Sequence, residues 1–586
     1  MAMTKSLQKR LRTFSFAVIF VTLLLTARLA WLQIYRYDDY VAKAENNRLR
    51  DLPITATRGE IVDRHGLKLA TNRPGFTVSI LDLDRKKAPE IIQYLSEILE
   101  IEAEEIYEKL AQQQYKSFAP IRIANDVPFE IVAKLEERRV DLPGVIIETQ
   151  PVREYPQQSL AAHVLGYVGA IRAEQYQELK NQGYRFTDII GQSGLEAAWE
   201  KYLRGQDGTL RVETDRFGNR VRVIEQIDPI PGNNLKLTLD GRLQEIVERA
   251  LSEKITELQK NGVKQAGKGA VVAIDPNTGG ILAMASYPSF NPNSFFADYN
   301  ELVADPHQPQ INKAIQGTYP VGSTFKLVGT LAALEEGVIT KNSRVLCRGV
   351  KSFFGSDRRR CFGSHAHGAL NVVGAIRISC NIFFYEMGYR LGFDRLSAYA
   401  KDFGFGQPTG LTDIRGERAG SIAAYEYPGD VLTAAIGQKH EITPLQLANY
   451  AAILANQGIR YRPYLVQEVV SHDGQVIFKA QPEVLDRLPY AKENWEIARL
   501  GMEAVSQPGG TASLLRDLPV KVASKTGSAQ TGNKDPHSLY IGYAPSEAPE
   551  VALAIILEHS GLGGQAAVPV AKQIWEEYFT PVAEEN

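Results

Sequence analysis

The chain has no excess of charge of either sign: 66 lysines and arginines stand against 68 aspartates and glutamates. No global field therefore draws it to nucleic acid or to strongly acidic partners. It has only one long hydrophobic run, and with 44% apolar and 23% charged residues it is neither a multi-span membrane protein nor a disordered one. No repeat with a period of about 20 to 50 residues is present, which excludes a solenoid. Cysteine is scarce, three residues in 586, and all three fall between positions 347 and 380. The length itself exceeds one ordinary domain and calls for roughly two to four folding units.

The single hydrophobic run covers residues 13–35 and holds one charge, Arg28, behind a leading segment with Lys5, Lys9, Arg10 and Arg12. As a helix it spans about 34 Å, enough for a hydrocarbon core of about 30 Å. The basic leading residues place 1–12 in the cytoplasm and everything after the run outside, with Arg28 snorkelling to the far interface. A cleaved signal peptide is the competing reading. Leu25 and Arg28 stand where a small residue is needed ahead of Ala27 and Ala30, so an uncleaved anchor is expected.

Residues 36–234 alternate short apolar runs with charged and Gly/Pro punctuation, as in Gly75-Phe-Thr-Val-Ser-Ile80 and Gly144-Val-Ile-Ile-Glu148. This predicts a mixed α+β region, a spacer or docking platform. Pro231-Gly232 marks a break, and residues 235–582 read as a second α+β domain. It opens with a strand at 235–239, a helix at 241–258 and a hairpin over 268–285. Helical patterns follow, and strands return at 520–523, 540–543 and 551–557 before a closing helix at 568–578. An antiparallel sheet completed late by the C-terminus and flanked by helices is expected.

Three short motifs occur in order in this second domain: Ser323-Thr-Phe-Lys326, Ser379-Cys-Asn381 and Lys525-Thr-Gly527. Singly each is weak, as Ser6-Leu-Gln-Lys9 and Ser289-Phe-Asn291 show by matching the first two patterns in the wrong places. Helical spacing puts Lys326 on the face of Ser323, where a neutral amine accepts the hydroxyl proton. Burial and a second cation, Lys525, favour that neutral form. Ser379 is placed to relay a proton to a leaving amine, and Asn381 to hydrogen-bond a peptide backbone. Lys525 and Thr526 offer a cation and a hydroxyl to a terminal carboxylate, while Gly527 leaves room for an extended peptide beside the strand. The backbone N–H groups of Ser323 and Ser528 are the candidate oxyanion hole.

Taken together, these motifs resemble the active-site set of the penicillin-recognising serine enzymes. Over nearly the whole chain the sequence resembles the class B penicillin-binding proteins, most of all the penicillin-binding protein 2 group of the cell-elongation system. Arg58-Gly-Glu-Ile-Val-Asp-Arg64 and Gly191-Gln-Ser-Gly-Leu-Glu196 resemble pedestal motifs, and Ile436-Gly-Gln438 and Thr443-Pro-Leu-Gln446 resemble a stretch of the transpeptidase domain. The resemblance implies D,D-transpeptidation of peptidoglycan stem peptides through an acyl-Ser323 ester, acylation of the same serine by β-lactams, and a carboxypeptidase side reaction. It also implies a RodA-type membrane polymerase and other elongation proteins as partners, since no glycosyltransferase region is visible. A division-specific relative and a non-catalytic β-lactam sensor are the alternatives. One departure is His537-Ser-Leu-Tyr540, where relatives often end in Trp-Phe, which puts the acceptor-side wall in question.

The clustering of the cysteines asks for a cause. Two readings stay open: a Cys347–Cys361 disulfide with Cys380 buried as a small apolar residue, or a tetrahedral structural zinc site of Cys347, Cys361, His367 and Cys380. Some penicillin-binding protein 2 relatives resemble this pattern with His and Cys where His367 and Cys380 stand. Either link would brace the wall that carries Ser379. The acyl-transfer chemistry itself requires no cofactor.

Overall fold

The computed structural model describes residues 2–40, 49–80, 88–112, 121–214 and 220–581. It divides into two compact units. The expected α+β architecture is present, with one long apolar helix at the N-terminus. That helix runs Ala2–Ala30 and continues through a wider turn at Trp31–Tyr35, so it begins ahead of the hydrophobic run. Its apolar side chains are exposed, as a helix requires when lipid is to be its solvent.

The first unit also holds Pro74–Val152 and Gln206–Ile230. An antiparallel sheet of Leu49–Ile54, Gly208–Thr214 and Arg220–Ile227 forms one part. A separate core forms the other, with Ile91, Ile92 and Leu95 on the apolar face of the helix Ala88–Leu99 packing with Val78, Ile80 and Ile123. Of the short apolar runs, 75–80 lies within the strand Lys68–Ile80, and the one beginning at Gly144 opens the strand Val145–Glu154 one residue later.

The second unit takes in Arg58–Arg73 and Arg153–Gly205 as well as Pro231–Asn586. It therefore draws on two segments far earlier in sequence than the break at Pro231-Gly232. Its elements include α1 (Gly241–Lys260), β1 (Gly269–Ile274), β2 (Ile281–Tyr287), α2 (Lys326–Glu335), α3 (Val372–Arg377), α4 (Asn381–Leu391), α5 (Pro444–Ala455), β3 (Ala523–Thr531), β4 (Lys534–Ala544), β5 (Val551–Leu557) and α6 (Ala567–Phe579). The five strands form one antiparallel sheet in the order β2-β1-β5-β4-β3. The central strands β1 and β5 are buried along their whole length, which explains their continuous apolar runs.

Asp240 caps α1 by accepting from Leu243 N at 3.0 Å, and α1 packs against α6 and β2. Helix α5 is buried on every side and packs on β5, β1 and β4. Its start is fixed by a capping box: Thr443 Oγ1 accepts from Gln446 N at 3.1 Å, and Thr443 N donates back to Gln446 Oε1 at 2.8 Å, with Pro444 at the first helical position. This gives Thr443-Pro-Leu-Gln446 its physical meaning. The strand expected at 520–523 instead starts at Ala523 and carries Lys525-Thr-Gly527 itself. The polar sequence conceals it, because pairing with β4 and not apolar alternation holds this segment extended.

Candidate active site

Ser323 lies in a tight turn of 3₁₀ helix, Gly322–Phe325, and Lys326 is the first residue of α2. In that geometry residues three apart eclipse, so the serine and the lysine share a direction more closely than an α-helix would allow. Ser323 is half-buried and Lys326 is fully buried. Tyr450 on α5 donates to Thr324 O at 3.1 Å and fixes the turn from below.

Ser379 sits just past the C-terminus of α3 with φ +55°, the position and conformation in which helices normally place glycine. Ser379 N donates to Ile376 O at 3.1 Å and Cys380 N to Ala375 O at 3.0 Å, which holds the left-handed residue in place. A serine there bears strain that glycine would relieve, and the hydroxyl is what the strain retains. The corner then turns straight into α4, sending Ser379 and Asn381 to one side and Cys380 to the other.

Lys326 Nζ donates to Ser379 O at 2.8 Å, Ser379 Oγ at 3.0 Å and Asn381 Oδ1 at 2.6 Å. Lys525 Nζ, from the edge strand β3, donates to the same Ser379 Oγ at 2.9 Å and to Thr526 O at 2.8 Å. Ser379 Oγ thus accepts from two amines, which leaves its own hydrogen for a third partner. Among the described residues, no carboxylate is a hydrogen-bond partner of either lysine. Burial pushes Lys326 down to about 7, against an opposing pull from the Cys380 and Cys361 sulfurs. Burial, with Lys326 as a neighbouring cation, also pushes Lys525 well below the usual lysine range.

The structure gives Gly527 a different reason from an unobstructed edge. A Cβ there would lie 3.1 Å from both the Thr324 methyl and Leu539 Cβ, so the glycine lets the serine turn pack onto β3. Thr526 Oγ1 is 2.7 Å from Thr511 Oγ1, and Ser528 Oγ accepts from Gly563 N at 3.0 Å. Thr511 and Gly563 carry no sequence signal that would have singled them out. Tyr540, at the end of the departing motif, points into the core and accepts from Trp575 Nε1 at 3.0 Å. It forms no wall of the site.

The four residues Cys347, Cys361, His367 and Cys380 converge, with their ligand atoms all within 4.8 Å of one another. The three thiols are free. Cys361 and Cys380 sulfurs are 3.8 Å apart. His367 Nδ1 lies 3.6 Å from the Cys347 sulfur and 3.5 Å from that of Cys361. A tetrahedral ion with metal–sulfur bonds of about 2.3 Å and metal–nitrogen bonds of about 2.05 Å needs edges of about 3.8 and 3.6 Å. The donor set fits such an ion in both type and spacing.

The transpeptidase-domain family of penicillin-binding proteins matches residues 269–576, and the penicillin-binding protein dimerisation domain matches residues 53–237. The peptidoglycan D,D-transpeptidase MrdA of Acinetobacter baumannii is 33% identical over 96% of this chain and 86% of its own length. This chain is a class B penicillin-binding protein. Among solved structures, the penicillin-binding protein 2 complex with MreC from Helicobacter pylori is similar with a TM-score of 0.76 at 25% identity, covering 91% of this chain and 98% of that one. A chain of a peptidoglycan synthase complex that coordinates polymerisation and crosslinking is similar with a TM-score of 0.72 at 31% identity, covering 98% and 99%.

The pedestal motifs of this penicillin-binding protein also acquire a structure. Arg58 Nε meets Glu196 Oε2 at 2.5 Å and Arg58 Nη1 meets Glu200 Oε2 at 2.7 Å, while Arg153 Nε meets Glu196 Oε1 at 2.7 Å. Glu196 is fully buried. Burial alone would raise its carboxyl; the two guanidiniums overturn that and hold it below the usual range. Asp63, from the same Arg58-to-Arg64 segment, accepts from Gly241 N at 2.9 Å and so ties that segment to the start of α1.

Proposed function

We propose that this protein cross-links peptidoglycan in the cell-elongation system, with Ser323 as acyl acceptor. The observation that carries the reading is the pair of buried amines converging on Ser379 Oγ beside the serine turn. Once unprotonated, Lys326 keeps two of its three donated bonds and takes the Ser323 proton on its lone pair as Oγ attacks the carbonyl carbon of the penultimate D-alanine. An ester forms, the bond to the last D-alanine breaks, and Ser379 passes a proton to the departing amine. An acceptor amine then attacks the ester, forming the cross-link amide and returning the proton to Ser323. Lys525 and Thr526 hold the terminal carboxylate, Asn381 the peptide backbone, and the N–H groups of Ser323 and Ser528 the oxyanion. Water in place of the amine gives a carboxypeptidase side reaction. A β-lactam acylates the same oxygen and stays.

The anchor at 13–35 keeps the enzyme at the cytoplasmic membrane with the pedestal at 36–234 and the transpeptidase domain at 235–582 on the outer face. The family matches at 53–237 and 269–576 support this division. A RodA-type polymerase and other elongation proteins are its partners; the similar complex with MreC and the similar synthase complex that coordinates polymerisation and crosslinking support partners of these kinds. Cys347, Cys361, His367 and Cys380 would hold a structural zinc ion, which would tie the segment carrying Cys347 and Cys361 to the Ser379 corner through Cys380; the Cys3His donor set and its spacing support this assignment.

The test is fluorescent-penicillin labelling of the full-length protein followed by mapping of the acylated peptide. The label is expected on Ser323 and absent from Ser323→Ala at unchanged melting temperature, because removing a half-buried hydroxyl leaves no large cavity. Labelling of the alanine variant at wild-type stoichiometry would refute the assignment.

A further inference from the structure

The outer edge of β3 is not open along its length. Alternate residues of a strand send their N–H and C=O to the same side. Gln438 marks that side here: its Nε2 donates to Ser528 O at 3.2 Å, and Gln530 N donates to its Oε1 at 3.1 Å. Because β4 pairs with the opposite edge, Thr526, Ser528 and Gln530 address the open one. There the side-chain amide of Gln438 takes the place of a neighbouring strand's peptide group. Gln438 itself is anchored to the serine turn, since Gly322 N donates to Gly437 O at 2.8 Å and Val321 N to His440 O at 3.0 Å. Gly437 has φ +76°, and a Cβ on it would fall 2.1 Å from Gly322 O, so Ile436-Gly-Gln438 is built to lie against Ser323's own loop.

We propose that Gln438 is a positioning residue that fixes the register of the donor peptide on β3. In a hydrogen-bonded antiparallel pair the two residues exchange both N–H···O bonds. If the reacting carbonyl takes the Ser528 N–H, as the Ser323 reading on which this inference rests requires, the N–H of that same penultimate residue meets Ser528 O. A carbonyl oxygen has two lone pairs, so Gln438 and the donor share it, and Gln438 holds it aimed before the donor arrives. The donor residue two places upstream would pair with Gln530, and Gln438 Oε1 already fills that place. The terminal carboxylate runs the other way, toward Thr526 and Lys525. The donor therefore pairs through one residue and then leaves the strand edge, so selectivity for the rest of the stem peptide is set away from β3.

The experiment uses the full-length protein in detergent and two thioester donors, benzoyl-D-alanyl-thioglycolate and its N-methyl counterpart, which lacks the N–H aimed at Ser528 O. Gln438→Ala is expected to lower kcat/KM about tenfold for the first donor and less than about twofold for the second, the non-additivity of two groups sharing one partner. Gln438→Glu keeps an acceptor for Gln530 N but sets a carboxylate against Ser528 O, so it should fall further with the first donor; it carries the comparison if the alanine variant does not fold. Equal losses with both donors reduce Gln438 to a structural tie and overturn the proposal, as does no loss with either. Failure of the underlying reading shows separately, as wild-type protein that forms no Ser323 ester with either donor.

Discussion

The same compact unit buries two clusters of cations, and they are built on opposite principles. Around Arg58 and Arg153 every cation faces a carboxylate: Glu196 lies between the two guanidiniums and Glu200 meets Arg58. Arg58 is held above its ordinary range, because the coulombic pull of Glu196 and Glu200 outweighs the burial that opposes it. Around Ser379 the two buried lysines donate, among the described residues, to neutral oxygens, and both are pushed down. A buried cation with a carboxylate partner keeps its charge at any physiological pH and serves as a joint. A buried lysine without one gives its proton up more readily, and Lys326, pushed down to about 7, does so near neutrality, which is what a base in acyl transfer must do. The residue types agree with this division, since guanidinium cannot be neutralised in a protein and an amine can.

The contrast makes its strongest claim at Lys326. Lys326→Ala should slow penicillin acylation by roughly 10²–10⁴-fold, the usual worth of a positioned base, and stopped-flow labelling measures it. In the wild type the acylation rate should rise with pH on a limb centred near 7, because Lys326 is pushed down to about 7 and only the unprotonated amine accepts a proton. A flat profile from pH 5 to 9 would break the assignment of Lys326 as base.

The paired cluster should answer to stability instead. Glu196→Gln takes away the carboxylate that Arg58 and Arg153 share, leaving Arg58 with Glu200 alone, and is expected to cost about 3–5 kcal/mol by denaturant titration. The fraction that folds should acylate at a rate within about twofold of wild type, since the cluster is a joint and not part of the chemistry. The pH dependence has the opposite sense from that of the lysine. The folded-state pKa of Glu196 lies below its unfolded value near 4.5, so its contribution is complete above that value and is lost as pH falls through the folded pKa. Acid unfolding that is unchanged in Glu196→Gln would remove this distinction between the clusters.

Metal sharpens the comparison on the other side of the Ser379 corner. Elemental analysis of the reduced protein should find one zinc per chain, and strong chelation should lower the melting temperature and slow acylation without abolishing it. Uptake should release protons, because the thiols bind as thiolates. Metal near zero together with a Cys347–Cys361 cross-link in non-reducing peptide mapping would restore the disulfide reading. The smallest effect is expected from deleting the anchor: a chain starting at Tyr37 should be soluble and acylated at the full-length rate, because both clusters lie in the second unit and the anchor supplies location.

The legible parts of this protein were those in which residue type and local spacing carry the physics. Ser323 and Lys326 are three apart, and any helical turn brings them to one face. The 551–557 run could be read as a strand because a strand buried on both faces needs continuous apolar residues, and the structure places Val551–Leu557 there. The strand bearing Lys525 was read too early, because its sequence is polar and only β4 holds it extended. Gln438 was seen as part of a motif but given no role, since its partners are backbone atoms about ninety residues away in sequence and backbone atoms leave no signature.

Sequence alone determined the kinds of chemistry available: one membrane-length helix, a serine with a lysine one turn on, three thiols with a histidine beside them. Those follow from side-chain type and near-neighbour geometry. Only the tertiary structure decided how they are used. It set two lysines 199 residues apart in sequence on one hydroxyl, gave Ser379 its left-handed backbone, turned Cys380 away from the site toward the other thiols, and joined Arg58 to Glu196. The reason is that the charge state of a buried amine depends on what surrounds it in space, and chain order does not record that.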